Sequence, residues 1–485
     1  MAGLMLDAAA KAFCDDFVAY MNESCTAFHA TEAAVKVLMA AGFTRLSERD
    51  EWRLIPGGKY FFTRNTTSLI AFTVGGAYVP GNGFTILGAH SDSPCLKVKA
   101  VTCAVKGDAL MLNTQPYGGG LWHTWFDRDL GLAGRVVYKD DGAAAGGALK
   151  TKLVRIDRPI ARIPNLAIHL TSGKERDAFA PNIQDHAKAV LSMDPTLVKM
   201  KDTDKDSKED GEPRLHPALL QLIAAEVGVP AASIVDMELQ LTDVQPSTVG
   251  GATGELIFSG RLDNLCSSYQ IIRALADGSH DNLAAQPNVR MAMMFDHEEV
   301  GSSSCTGAGS SMFMDTLQLI TEALVSANIS AASSASSSGH GVLMRSLRKS
   351  LVVSIDMAHA LHPNYTGKHD PAMAPKINGG LVIKHNANQR YATNAISASL
   401  FRQFGKLANV PVQEFAVRSD SGCGSTIGPI IATLSGILTV DCGTPQFSMH
   451  SIRETMGSRD AYTGYLHLKA ALEHHPALAA DVDSA

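Results

Sequence analysis

Apolar residues recur along this chain with two different periods. Phe13, Phe17 and Met21 stand at i, i+4 and i+8, which predicts an opening helix with one buried face. After the break at Pro56-Gly57-Gly58 come short, almost continuous apolar runs: SLIAFTV (68–74), FTILGA (84–89), VRMAMMF (289–295), LVVSI (351–355) and GILTV (436–440). Strands apolar at consecutive positions suit a sheet covered on both faces. Helical patterns alternate with them over 265–276, 314–326, 395–407 and 461–472. That alternation predicts an α/β domain on a mixed, largely parallel sheet flanked by helices.

The stretch from 99 to 247 has another texture. Its β-like runs are shorter (ALMLN, GRVVYK, KLVRI, MELQL) and surround a Gly-rich turn at 118–120 and a Gly/Ala loop at 142–148. The expectation is a β-rich domain, 99–247, inserted into a larger domain made of 1–98 and 248–485. Two polar stretches interrupt the pattern. KMKDTDKDSKEDGEPR (199–214) is nearly devoid of apolar residues and is expected to be a solvated, mobile loop. Its Asp202-x-Asp204-x-Asp206 start imitates a calcium loop, but Ser207 and Pro213 stand where glycine and glutamate are needed, so calcium is rejected. NISAASSASSSGHG (328–341) has linker composition and is expected to be an exposed loop before the Leu351 strand. There is no repeat of 20–50 residues.

Composition narrows the function classes. Lys plus Arg is 42 against 48 acidic residues, a net charge of −6, which argues against nucleic acid as the main partner. Eight scattered cysteines without a C-x-x-C pair read as reduced thiols. MAGLMLDAAAKAFCDDF has no basic region ahead of its apolar residues, so it is not read as a signal or transit peptide. The longest apolar stretch, IGPIIATLSGILTV, is too short and too interrupted to span a bilayer. A soluble, cytoplasmic chain is expected, without membrane contact.

Several catalytic motifs are absent. The four Gly-Lys pairs are followed by Tyr60, Glu175, His369 and Leu407, so none is a phosphate-binding loop. His297-Glu298-Glu299 begins like a single-zinc protease helix, but Gly301 takes the place of the second histidine. What remains is a series of metal-type residues placed just after apolar strands: His90 with Asp92, Asp263, Glu298-Glu299, Asp356 and His450. Ligands gather beyond the carboxyl ends of strands in open α/β sheets, so distant residues can converge there. Two histidines with several carboxylates suit a pair of borderline cations such as zinc. Asp263 is the natural bridging carboxylate. His90-x-Asp92 reads as a ligand with the group that orients it, and one of the paired glutamates is free to take a proton from metal-activated water.

These residues, in this order, resemble the co-catalytic metallo-aminopeptidases. The surrounding text, GAHSDSP, RLDN, DHEEVGS, DMAHALHPNY, QRYATN and MHSIRE, resembles the aspartyl aminopeptidase branch, peptidase family M18, from near the first residue to about 472. The resemblance implies a zinc-dependent exopeptidase fold with an inserted dimerisation domain. It implies hydrolysis of the first peptide bond of peptides beginning with Asp or Glu. Two divalent ions are implied, zinc first and manganese or cobalt as substitutes. His90, Asp263 and Asp356 would hold one, and Asp263, Glu299 and His450 the other. Glu298 would be the general base, with Asp92, the orienter of His90, counted beside it among the catalytic residues. His169 would reach a neighbouring subunit's site and stabilise the tetrahedral intermediate. His359, Lys384 and Tyr391, with Glu298 and Asp356, match substrate-contacting positions. The family's assembly implies dimers building a tetrahedral dodecamer. Two alternatives stand beside this: a related two-metal deacylase or carboxypeptidase, and an inactive assembly or cargo protein.

Overall fold

Both periodicities reappear as elements in the computed structural model, which describes residues 7–140, 148–200, 214–329 and 339–480. The Gly/Ala loop expected at 142–148, the charged stretch 199–214 and the Ser-rich run fall largely outside the described residues. Two units divide the chain: Met1–Asp92 with Ser247–Met449 and Glu454–Ala485, and Ser93–Pro246 with His450–Arg453.

The first unit is built on nine strands: β1 (Thr44–Arg45), β2 (Lys59–Arg64), β3 (Ser68–Val74), β4 (Phe84–His90), β5 (Val289–Phe295), β6 (Leu351–Ile355), β7 (Leu381–Lys384), β8 (Val412–Phe415) and β9 (Leu438–Gly443). They lie in the order β1-β2-β3-β5-β4-β6-β9-β7-β8. The middle four, β5-β4-β6-β9, run parallel. β3 runs antiparallel to both neighbours. Its connection to β2 spans only residues 65–67, and a short link permits a hairpin but no crossover.

Among the described residues, eight helices cover the two faces: α1 (Ala8–Glu23), α2 (Ala27–Ala40), α3 (Leu262–Gly278), α4 (Met312–Ile329), α5 (Gly339–Arg348), α6 (Ala395–Leu407), α7 (Ile427–Ser435) and α8 (Ser458–Leu478). Successive strand residues point to opposite faces. On β5, Met291, Met293 and Phe295 enter the core under α4, α5 and α7, whereas Ala292 and Met294 enter the core under α1, α2, α3, α6 and α8. Both faces being covered is the physical reason these strands read as unbroken apolar runs. A small five-stranded sheet, including Ala358–His359, Pro445–Phe447 and Glu454–Gly457, completes this unit and was not anticipated.

Other boundaries differ from expectation for local reasons. Helix α5 begins at Gly339, inside the run expected to be linker. The GILTV run starts its strand only at Leu438, because Gly436 takes the left-handed conformation (φ 62°) that ends α7. Pro429 does not break α7, because it lies in the first turn, where its missing N–H costs no helical hydrogen bond.

The second unit is a six-stranded antiparallel sheet in the order 148–161, 130–140, 234–243, 95–106, 109–117, 189–192. The helix Pro217–Val227 packs Leu219 and Ile223 into its core. Its edge falls at Ser93 because one continuous strand, Cys95–Lys106, runs through residue 99. The segment His450–Arg453, expected in the larger domain, packs here. Ile452 lies in this core, its N–H donates to Thr124 Oγ1 (3.0 Å), and the Leu121 N–H donates to the His450 carbonyl (2.9 Å). Among the described residues no helix is long and apolar enough to cross a membrane.

Candidate metal centre

His90 ends β4 and pairs with Phe295, so the turn carrying Glu298 and Glu299 leaves β5 beside it. On the other side of β4 lies β6, with Asp356 directly after its last residue. Asp263 comes from the irregular start of α3, where Asp263 and Asn264 are non-helical and joined by a cis peptide bond. Two hydrogen bonds hold that start. Asn264 Nδ2 donates to the Ile355 carbonyl (2.8 Å), and the Asp263 N–H donates to Glu454 Oε2 (3.1 Å).

The buried His90 ring donates from Nδ1 to the Asp92 carbonyl (3.0 Å), a bond that leaves the lone pair on Nε2. Facing Nε2 are Asp263 Oδ1 at 3.3 Å, Asp356 Oδ1 at 3.6 Å and Glu298 Oε2 at 3.8 Å. His90, Asp263 and Glu299 each present one ligand atom, all within 4.8 Å of one another. Carboxylates crowded around an imidazole lone pair repel one another unless a cation or protons intervene. Burial, followed by the charges of Asp356, Asp263 and Asp92, pushes the Glu298 carboxyl up to about 8. For His90, burial opposes protonation, but Glu298, Asp263, Asp356 and Asp92 together outweigh it and raise its pKa well above the usual value. A divalent ion relieves the same crowding, and one imidazole with several carboxylates is a donor set that zinc accepts.

The Asp92 carboxylate serves the glutamates. Its Oδ1 accepts the Glu298 N–H (3.2 Å) and its Oδ2 the Glu299 N–H (3.1 Å). The turn between them is flanked by His297 and Gly301, both left-handed. Asp92 thus orients His90 through its backbone carbonyl and the glutamate pair through its side chain.

Lys384 ends β7 and is buried, with Nζ 3.6 Å from Asp356 Oδ2 and 5.3 Å from the centre of the Tyr391 ring. Tyr391 is buried in the loop before α6. Burial, then Cys423 and the nearby carboxylates, push its phenol up. His359 packs edge-on to Phe415 at 5.8 Å and borders a cleft of about 450 Å³ with His362, Tyr365, Phe447 and Arg418. Desolvation and then the Lys384 charge hold its pKa below the usual value.

The structure therefore brings together His90, Asp92, Asp263, Glu298, Glu299, Asp356 and Lys384 with Tyr391 in the first unit. His450 and His169 belong to the second. His450 has φ 66° and donates from Nδ1 to the Gly119 carbonyl (2.7 Å), leaving Nε2 as its basic nitrogen. His169 occupies an exposed 3₁₀ turn, Ile168–Leu170. Leu166, Ile168 and Leu170 are all more than half exposed, and the Leu170 N–H closes the turn on the Ala167 carbonyl (2.9 Å). Sequence reasoning missed Glu454 and Asp441. Both are carboxylates at buried positions, and Asp441 follows an apolar run directly, which was a legible signal.

Residues 20–471 match the model of the family described as aminopeptidase I zinc metalloprotease (M18). A Ricinus communis protein named probable aspartyl aminopeptidase is 46% identical over 476 residues, 94% of either chain. A chain in the cryo-EM structure of the Ape4 and Nbr1 complex is 39% identical with a TM-score of 0.90, over 97% of this chain and 87% of that one. A chain of the S. cerevisiae mApe1 dodecamer is 26% identical with a TM-score of 0.82, over 97% and 99%.

Proposed function

The chain belongs to the M18 family of zinc metalloproteases, and from that premise we propose that it removes Asp or Glu from the N-terminus of peptides. The observation that carries this reading is Lys384, a buried ammonium at the edge of the carboxylate cluster. A cation there offers a charge-assisted hydrogen bond to an acidic side chain. The names of the relatives point the same way.

Two divalent ions, zinc or in its place manganese or cobalt, are assigned to His90, Asp263 and Asp356, and to Asp263, Glu299 and His450. His450 joins this set on the family resemblance. When bound, such ions lower the pKa of a water and polarise a carbonyl. Glu298 takes the proton of the attacking water and returns it to the leaving amine, held at its backbone by Asp92. His359 and Tyr391 border the substrate. His169 donates to the developing oxyanion in the site of a neighbouring copy, and the exposed Leu166, Ile168 and Leu170 around it suit burial against another subunit. The assembly would be dimers building a dodecamer, working in the cytoplasm, and a dodecamer is the form in which the S. cerevisiae relative was solved. The test is Glu298→Gln, which should retain metal but lower kcat by about 10²-fold or more. Turnover close to wild type would refute the general-base role. Hydrolysis of N-acetylated but not free-amine Asp peptides would favour the deacylase alternative.

A further inference from the structure

The antiparallel register of β7 against β9, Val382 opposite Gly443 and Ile383 opposite Cys442, brings Lys384 level with Asp441. Asp441 is fully buried and lies outside the ligand cluster. Its Oδ2 accepts the N–H of Ala392, the residue after Tyr391, at 2.6 Å. Its Oδ1 accepts the Thr426 hydroxyl at 2.6 Å, and Thr426 is the cap residue of α7. The Asp441 N–H donates to Thr393 Oγ1 at 2.9 Å. One residue therefore ties down the loop carrying Tyr391 on its downstream side. Gly428 makes room for it, since a Cβ there would stand 2.3 Å from Asp441 Oδ1.

We propose that Asp441 is a positioning residue for the recognition of acidic N-terminal side chains, holding the Tyr391 ring against the Lys384 ammonium. The inference rests on the reading of Lys384 given above. Both carboxylate oxygens of Asp441 accept, from donors on two different segments, and an aliphatic side chain accepts from neither. Loss of the Ala392 bond, or of the Thr426 bond that fixes the carboxylate making it, frees Tyr391 to swing from Lys384, and the ammonium is then less well placed for a carboxylate. A neutral side chain makes no use of that placement.

The test compares kcat/KM for two peptides differing only in an N-terminal Asp or Asn, on the full-length metal-loaded enzyme. Asp441→Leu should lower the Asp/Asn ratio at least fivefold, chiefly through KM for the Asp peptide, with metal content unchanged. Equal losses for both peptides, leaving the ratio within twofold of wild type, would overturn the proposal, since general damage to the fold predicts that outcome. If Asp441→Leu does not fold, Thr426→Val removes one donor and decides the matter. A two- to threefold drop in the ratio supports the proposal and an unchanged ratio overturns it. Lys384→Ala in the same assay separates the two readings. If it leaves the ratio at wild type, the acidic-pocket reading fails. If it collapses the ratio while the Asp441 variant does not, only the present inference fails.

Discussion

Replacing Asp92 with asparagine isolates the device that holds the glutamate pair. In the native side chain the two oxygens accept the N–H groups of Glu298 and Glu299 at 3.2 and 3.1 Å, in a buried setting. A hydrogen bond to a charged group contributes about 1.5–3 kcal/mol. The substituted amide keeps one acceptor and turns its NH₂ toward the other N–H, so one such bond is lost. At about 1.4 kcal/mol per factor of ten, full expression in the barrier corresponds to roughly a 10- to 100-fold fall in kcat. His90 should be spared, because its Nδ1 partner is the Asp92 backbone carbonyl, which the substitution keeps. The assay is therefore kcat on an N-terminal Asp peptide beside metal stoichiometry and the thermal midpoint. The expected outcome is reduced turnover with metal retained. Metal loss with unchanged turnover per bound ion would refute the assignment of Asp92 to the glutamates, as would a kcat within twofold of wild type.

Two further outcomes can be checked independently. His467 stacks on Phe401, His475 hydrogen-bonds Thr85, and burial pushes both down to about 4. A folded pKa below the unfolded value means stability is fully present above about 6.5 and is lost as pH falls toward 4, at about 3 kcal/mol for each group. His475→Asn should therefore flatten the fall in thermal midpoint between pH 7 and 5, and an unchanged slope would count against it. His169→Phe should lower kcat without lowering metal content; unaltered turnover would remove His169 from the mechanism.

The sheet was legible because its central strands are buried on both faces, and the runs FTILGA, VRMAMMF and LVVSI needed no partner to be recognised. Their ends were equally legible, since polar metal-type residues after apolar strands stand out. What escaped depended on pairing between distant segments. The short strand Ala358–His359 exists only through its parallel contact with Pro445–Phe447, far along the chain, by register Ala358 to Pro445. Glu454 and Asp441 act on backbone N–H groups far from them in sequence, and a lone carboxylate carries no mark of which amide it will meet.

The four residues His450–Arg453 bear on modularity. An inserted unit with its own core would ordinarily be removable by cutting at its two junctions. Here a downstream turn, His450–Arg453, is also clasped by Gly119, Leu121 and Thr124, and it includes a residue of the proposed ligand set. The second unit is therefore built from two separate pieces of chain, and excising 93–246 alone would remove the Gly119 carbonyl to which His450 Nδ1 donates.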